Sequence, residues 1–333
     1  MVYVIVSFII IIISGFAHFF PQYYVSELVL SFLPYGILIC FIGLVTSLIF
    51  ARKHLRARRW LQRNPKRYRW FGGLFAVFFG ILFLMNSSQF THFYHNDLPV
   101  AHSSTGSLKI LFANIHKDNT DYTWIENMIV KYNPDLLMFV EFADHHYTHL
   151  KDFLQKNYPY VNSTTRSKQF VWSMVFSKYK IENWAGDFPQ GMRRYGYFSV
   201  TFGGQPYYFY LVHTSSPDSD AHFVMRNDQL QTFQKDFALH EKSRSDDKVV
   251  VVGDFNLTPW SSYYKQLASS FSGKLTDVTQ DFPLLFTWRL FGFPLLRAHI
   301  DHLWLSSGVV LESLQSIPVP GSDHRGFVVG IGR

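Results

Sequence analysis

The sequence predicts an α/β (α+β) fold: a four-layer sandwich of two packed mixed β-sheets flanked by helices, preceded by three transmembrane helices. Three observations lead there. The first 86 residues carry three long apolar runs. The remainder alternates β-branched and aromatic runs with segments of helical periodicity. Acids, amides and histidines gather where those β runs end.

The apolar runs come first. Val2 to Phe20 is 19 residues without a formal charge, and Leu30 to Phe50 is 21, broken only by Pro34. Trp70 to Met85 is 16, with Asn86-Ser87-Ser88 to extend it into an interface. A helix needs roughly 20 apolar residues to cross about 30 Å of hydrocarbon. The expected anchor is residues 1–86, with helices at about 2–20, 30–50 and 70–86. The first run lacks a basic n-region and a small-x-small site, so it reads as a span rather than a cleaved signal. The runs lack the polar face of a core helix.

Charge sets the orientation. Nine of the 31 Lys and Arg residues lie in Ala51 to Trp70. Basic residues beside spans stay on the cytoplasmic side. Loop 51–69 is then cytoplasmic, the N-terminus is cytoplasmic, and everything after residue 86 is extracytoplasmic, which means periplasmic if the host is a bacterial inner membrane. After residue 86 there are 22 basic and 23 acidic residues, a net of −1. The basic pI therefore belongs to the loop, and the whole-chain charge argues for no nucleic-acid surface. The single cysteine, Cys40, lies in the second run and forms no disulfide within one chain.

Residues 87–106 are polar and read as a linker to a domain at 107–333. "LKILFANIH" (Leu108 to His116) is a strand. Asp121 to Asp135 is a helix, with Trp124, Met128 and Ile129 at helical spacing and Asn133-Pro134 as its stop. "DLLMFVEF" (Asp135 to Phe142) is a second buried strand. "FVWSMVFS", "YFSVTFGG" and "PYYFYLVHT" (Pro206 to Thr214) follow as strands. Asp220 to Lys242 is a helix. "KVVVVGDFN", "AHIDHLWLS" (Ala298 to Ser306) and "GFVVGIG" close the set.

Asn114, Glu141, His213, Asp254, Asn256, Asp301 and Asp323-His324 all stand at or beside strand ends. A buried polar group without a partner is costly. Taken singly, each is an ordinary strand-end residue, and "GDFN" alone is a turn. Together they point to one cleft.

In order, "ANIH", "FVEF", "LVHTSSP", "GDFNLTP", "HIDHLW" and "GSDHRG" resemble the endonuclease/exonuclease/phosphatase superfamily over roughly residues 107 to 333. GDxN followed by a late SDH is the specific part. With its anchor, the chain most resembles bacterial membrane-bound members. The resemblance implies a divalent-metal-dependent phosphoesterase, with Mg²⁺ or Mn²⁺ on Glu141 and Asn114. It implies that Asp254 orients water and Asn256 donates to a phosphate oxygen. His324 is base or phosphate contact, Asp323 holds its tautomer, His213 stabilises phosphorus or assists the leaving group, and Asp301 lies near the metal or His324. Arg194 is a candidate substrate contact, Asp118 and Asn119 are candidates for extra metal-side contacts, and His116, alternating with Asn114, is a candidate to line the cleft. The substrate is a nucleic acid, a lipid headgroup or a small phosphoester. The alternatives are a phospholipid- or sphingomyelin-type phosphodiesterase and a catalytically silent membrane-bound binding module.

Overall fold

The computed structural model describes residues 2–52, 65–94, 106–162, 173–185, 192–241, 248–271, 273–282 and 284–332. The basic loop falls mostly outside these residues, as does the linker beyond position 94. The chain divides into two units, residues 1–95 with Trp260–Ser262, and residues 96–259 with 263–333.

The first unit is helical: α1 (Val2–Phe19), α2 (Tyr24–Ser31), α3 (Leu33–Ala51) and α4 (Pro65–Phe93). Three stretches are long and apolar enough to cross a membrane: Val2–Phe19, Leu33–Ala51 and Trp70–Phe93, with mean hydropathies of 2.4, 2.2 and 1.8. Pro34 does not interrupt the second. It sits in the first turn of α3, where its missing N–H has no helical partner to lose. The third runs to Phe93 instead of stopping near residue 86, so the start of the expected linker is helix. Thr91 Oγ1 donates to the Ser87 carbonyl one turn back, which satisfies the hydroxyl within the helix. Among apolar side chains, polar groups pair with one another: Tyr3 with Ser47 (2.6 Å) and His18 with Asn86 (2.7 Å).

The second unit runs β1 (Leu108–Asn114), α5 (Tyr122–Tyr132), β2 (Leu136–Val140), α6 (Asp144–Asn157), β3 (Tyr160–Val161), β4 (Ser173–Ser177), β5 (Ile181–Ala185), β6 (Tyr195–Phe202), β7 (Gln205–His213), α7 (Asp220–Glu241), β8 (Lys248–Asp254), α8 (Ser262–Ser270), β9 (Leu275–Asp277), β10 (Trp288–Arg289), β11 (Arg297–Ala298), β12 (Asp301–Ser306), β13 (Val310–Pro318) and β14 (Arg325–Gly332). The sequence reading missed α6, whose "DHHYTHLKDFLQKN" is too polar to show a clear apolar stripe. It also missed α8, β9 and β13.

Two six-stranded sheets form, ordered β13-β14-β1-β2-β4-β3 and β5-β6-β7-β8-β12-β9. Each has one parallel pair, β1 with β2 and β7 with β8, and antiparallel neighbours. The sheets share a core of alternate residues: Leu108, Ile110 and Phe112 of β1, Tyr207, Phe209 and Leu211 of β7, Val250 and Val252 of β8, Leu303 and Leu305 of β12. The other face of β1 (Leu111, Ala113) packs with Ile125, Met128 and Ile129 of α5 and with α6.

Candidate active site

The period of two that builds the core also builds the site. Continuing each inward-facing series by two residues, 108-110-112 reaches Asn114, 207-209-211 reaches His213, and 250-252 reaches Asp254. Counting back from Leu305 and Leu303 reaches Asp301. Parallel strands end together, so Asn114 lies beside Val140 and His213 beside Asp254. Antiparallel β12 starts where β8 ends, setting Asp301 opposite Asp254. His324 precedes β14, whose Phe327 pairs with Phe112 near the end of β1. Four of the site's polar side chains are thus the last rung of a hydrophobic ladder.

Glu141 breaks this parity. Its neighbours Leu137 and Phe139 face the helices. A left-handed backbone (φ 57°) turns the carboxylate instead towards Asn114. Asn256 (φ 48°) and His116 (φ 63°) share this conformation. Three such non-glycine residues at one site are a concentration of backbone strain that the surrounding structure must hold. Gly253 is not a turn residue, as the sequence suggested: it lies inside β8, and a Cβ there would stand 2.0 Å from the Val212 carbonyl oxygen. Glycine permits the close approach of β7 to β8.

Asn114 is the hub. Its Nδ2 donates to Glu141 Oε1 (3.0 Å) and Asp254 Oδ2 (3.1 Å) and lies 3.4 Å from His324 Nε2. Its Oδ1 accepts from the His116 N–H at 3.0 Å. Glu141 Oε2 accepts from the Lys117 N–H at 3.0 Å. Burial pushes the Glu141 carboxyl up, but His213, the Asn114 amide, the Lys117 N–H and His324 outweigh it and hold it at about 2.

His213 is buried, with Nε2 3.7 Å from Glu141 Oε1. Burial, then the Arg194 charge, lowers its imidazole to about 3 despite Glu141. Arg194 is buried rather than open to solvent. Its Nε donates to the His213 carbonyl (2.9 Å) and its Nη2 lies 3.4 Å from His213 Nδ1. A guanidinium only donates, so Nδ1 accepts and the ring proton sits on Nε2, facing Glu141.

His324 lies between two carboxylates, Nδ1 3.0 Å from Asp301 Oδ2 and Nε2 3.5 Å from Asp254 Oδ2. Burial disfavours its charge, but Asp301 and Asp254 overcome this and lift it to about 10. Burial and the Asp301 charge push Asp254 up to about 7, against the pull of His324. Asp323 was expected to hold His324. Instead its Oδ2 accepts from Trp288 Nε1 at 2.8 Å, and Asp301 is the carboxylate on the ring. A side chain adjacent in sequence on an extended backbone points away, whereas a neighbouring strand can point directly at it.

The remaining candidates are scattered. Asn256 Nδ2 donates to the Thr214 carbonyl (3.0 Å), and its N–H to Asp254 Oδ1 (2.9 Å). Asn119 is buried and bonds Ile115 and Pro320 carbonyls, a structural role; Asp118 is exposed. Phe255 is fully buried, with its ring edge-on to Phe233. His302 faces away, bonded to Asp277 and the Leu257 carbonyl, both at 2.8 Å. His145 and His149 make a His-x-x-x-His pair on α6. Tyr122 and the Lys117 carbonyl occupy the His145 nitrogens, and His149 stacks on Tyr122 at 4.1 Å. The sequence reading also overlooked Arg226, fully buried on α7, whose Nη1 donates to the Asn256 carbonyl at 2.7 Å and so braces the strained turn.

The donors fit a hard divalent cation. Glu141 is a positioned, ionised carboxylate. Asp301 Oδ1, in the cluster with Asp254 and His324, is buried without a hydrogen-bond partner among the described residues.

A model of the Endonuclease/Exonuclease/phosphatase family matches residues 111–324. Zebrafish (D. rerio) TDP2 complexed with single-strand DNA product is 19% identical, with TM-score 0.55 over 68% of this chain and 99% of that one. The human Nocturnin catalytic domain with bound sulfate anion is 18% identical, with TM-score 0.52 over 68% and 94%. An endonuclease/exonuclease/phosphatase family protein from Bacteroides thetaiotaomicron is 16% identical, with TM-score 0.50 over 68% and 94%. No curated protein sequence matches the chain. These structures share the fold, and the family match spans all the site residues from Asn114 to His324; the chain belongs to the endonuclease/exonuclease/phosphatase family and is a metal-dependent hydrolase acting on ester bonds.

Proposed function

We propose that this chain is a membrane-anchored phosphoesterase that hydrolyses phosphodiester or phosphomonoester bonds outside the cytoplasm. The observation that carries this reading is the His324 ring held between Asp301 and Asp254, beside the Asn114–Glu141 pair. Such a site meets the needs of phosphoester hydrolysis: charge neutralisation, an aimed water and a proton for the leaving oxygen.

Glu141 would hold Mg²⁺ or Mn²⁺, with the Asn114 amide oxygen beside it once its bond to His116 is exchanged. When bound, the cation neutralises phosphate charge and polarises the ester. Asp254, buried and raised towards neutrality, aims the attacking water and takes its proton. Of the two roles expected of His324, base or phosphate contact, the second is the one its surroundings favour. Ringed by carboxylates that favour its protonated form, it would serve as a cationic contact or proton donor to phosphate oxygen. Asp301 positions it. Neutral His213 donates from Nε2 towards the developing charge. The second amide proton of Asn256 is available to a non-bridging oxygen. Arg194 acts through His213 rather than on substrate.

The three apolar helices and the basic loop support the anchor and its sidedness. A near-neutral domain favours a lipid headgroup or small phosphoester over a long nucleic acid, whose affinity rests largely on Lys and Arg. Every motif residue is present, which argues against a silent binding module. The test is turnover of bis-p-nitrophenyl phosphate by the full chain in detergent with Mg²⁺ or Mn²⁺. Absence of turnover with either metal, or full turnover by His324→Ala, would sink the assignment. A reporter fused after Arg333 that is active in the cytoplasm would sink the sidedness.

A further inference from the structure

The hairpin of β10 and β11 carries an apolar tip, Leu290-Phe291-Gly292-Phe293-Pro294-Leu295-Leu296. Phe291 is 94% exposed, Leu295 73% and Phe293 58%. All six residues from 291 to 296 are exposed. Lone exposed apolar side chains are common, but a contiguous run of them marks an interaction surface. The tip is held in shape by its own backbone: Leu290 N–H to the Leu296 carbonyl (2.9 Å) and Phe293 N–H to the Leu290 carbonyl (2.8 Å).

Its collar is basic. Arg289 and Arg297 pair across the hairpin. Arg325 lies close enough that, after burial, their two charges disfavour its own. From Phe282 to Ile300 the sequence holds no acid. Aromatic and leucine side chains above a ring of arginines match the chemistry of an anionic lipid surface, with rings in the acyl boundary and guanidinium groups on phosphates. The chain also carries three apolar helices able to span a membrane, so a bilayer is at high effective concentration.

The tip also adjoins the site. A cleft of about 440 Å³ is lined by His116, Arg289, Phe291, Gly292, Ser322 and Asp323. Asp323 accepts from Trp288 Nε1 through its side chain and from the Arg289 N–H through its carbonyl, and it adjoins His324.

We propose that the Leu290–Leu296 tip inserts into the interface of an anionic bilayer, and that the phosphoester taken by the site is a phospholipid headgroup entering past Arg289. The substrate half of this inference rests on the phosphoesterase reading above; the insertion half does not.

The test uses the full chain in phosphatidylcholine vesicles with and without phosphatidylglycerol. Leu295→Cys is labelled with an environment-sensitive dye; the one native thiol, Cys40, is buried. The dye should shift to the blue and be quenched by brominated lipid, more strongly with phosphatidylglycerol. F293E/L295E should lose vesicle-phospholipid hydrolysis at least tenfold while keeping bis-p-nitrophenyl phosphate turnover. An unquenched dye, a blue shift that depends on protein concentration in detergent (a second copy), or equal loss on both substrates overturns the inference. A quenched dye on the labelled variant, together with an unlabelled wild-type chain inert towards both substrates, would uphold insertion and defeat the catalytic reading instead.

Discussion

His324 Nδ1 lies 3.0 Å from Asp301 Oδ2, while Asp323, its neighbour in sequence, bonds Trp288. The two aspartates should therefore differ in effect. Asp301→Asn should lower bis-p-nitrophenyl phosphate turnover by about 10²–10⁴, the range for a positioned acid–base group. Asp323→Asn should cost less than about tenfold. Equal losses would mean that the pairing in the structure does not govern catalysis.

Glu141 is an ionised carboxylate held by two donors. Glu141→Gln keeps the shape and removes the charge. Calorimetric Mg²⁺ or Mn²⁺ binding should weaken at least tenfold and turnover should fall by about 10³, the scale set by losing a positioned electrostatic group. Unchanged circular dichroism would show the fold intact. Undiminished metal affinity would remove Glu141 as ligand.

Arg194 depresses the His213 imidazole, after burial. Removing a nearby cation eases protonation, so Arg194→Met should raise the His213 pKa from about 3 towards, but not to, its ordinary value. Imidazole ¹H–¹⁵N spectra across pH would record the shift, and also the loss of the single Nε2–H tautomer. A merely structural arginine would move neither.

His146 is buried on α6, its Nδ1 accepting from the Ala143 N–H at 2.9 Å. Burial, then His145, lowers its pKa from 6.5 to about 4. Between those values the unfolded chain binds a proton that the folded chain does not. Stability from this group is therefore complete above pH 6.5 and is lost as pH falls towards 4, with a slope of at most about 1.4 kcal/mol per pH unit. His146→Gln keeps the reach back to Ala143 and cannot titrate, so it should flatten that limb in urea melts taken at several pH values.

Much of the site was legible because strand periodicity is local. Asn114, His213, Asp254 and Asp301 extend alternations that are visible as apolar letters in the chain. The helix at Tyr122–Tyr132 was legible from its spacing and its Asn133 stop, which adopts the left-handed cap. Polar α6 was not, since its face is defined by the sheet it covers. Glu141 was found by motif, but its parity puts it on the wrong face; only the left-handed backbone explains how it reaches the site.

By itself, then, the sequence determined three membrane-length apolar stretches, a series of strands and the polar residues at their ends, because burial and alternation act over a few neighbours. Which acid serves which histidine was decided only when β8 and β12 paired with Asp301 opposite Asp254. So were the burial of Arg194 against His213 and of Arg226 beneath Asn256. Those relationships join residues 19 to 30 positions apart or on different strands, and their energies exist only once the low-dielectric interior brings the partners within hydrogen-bond reach.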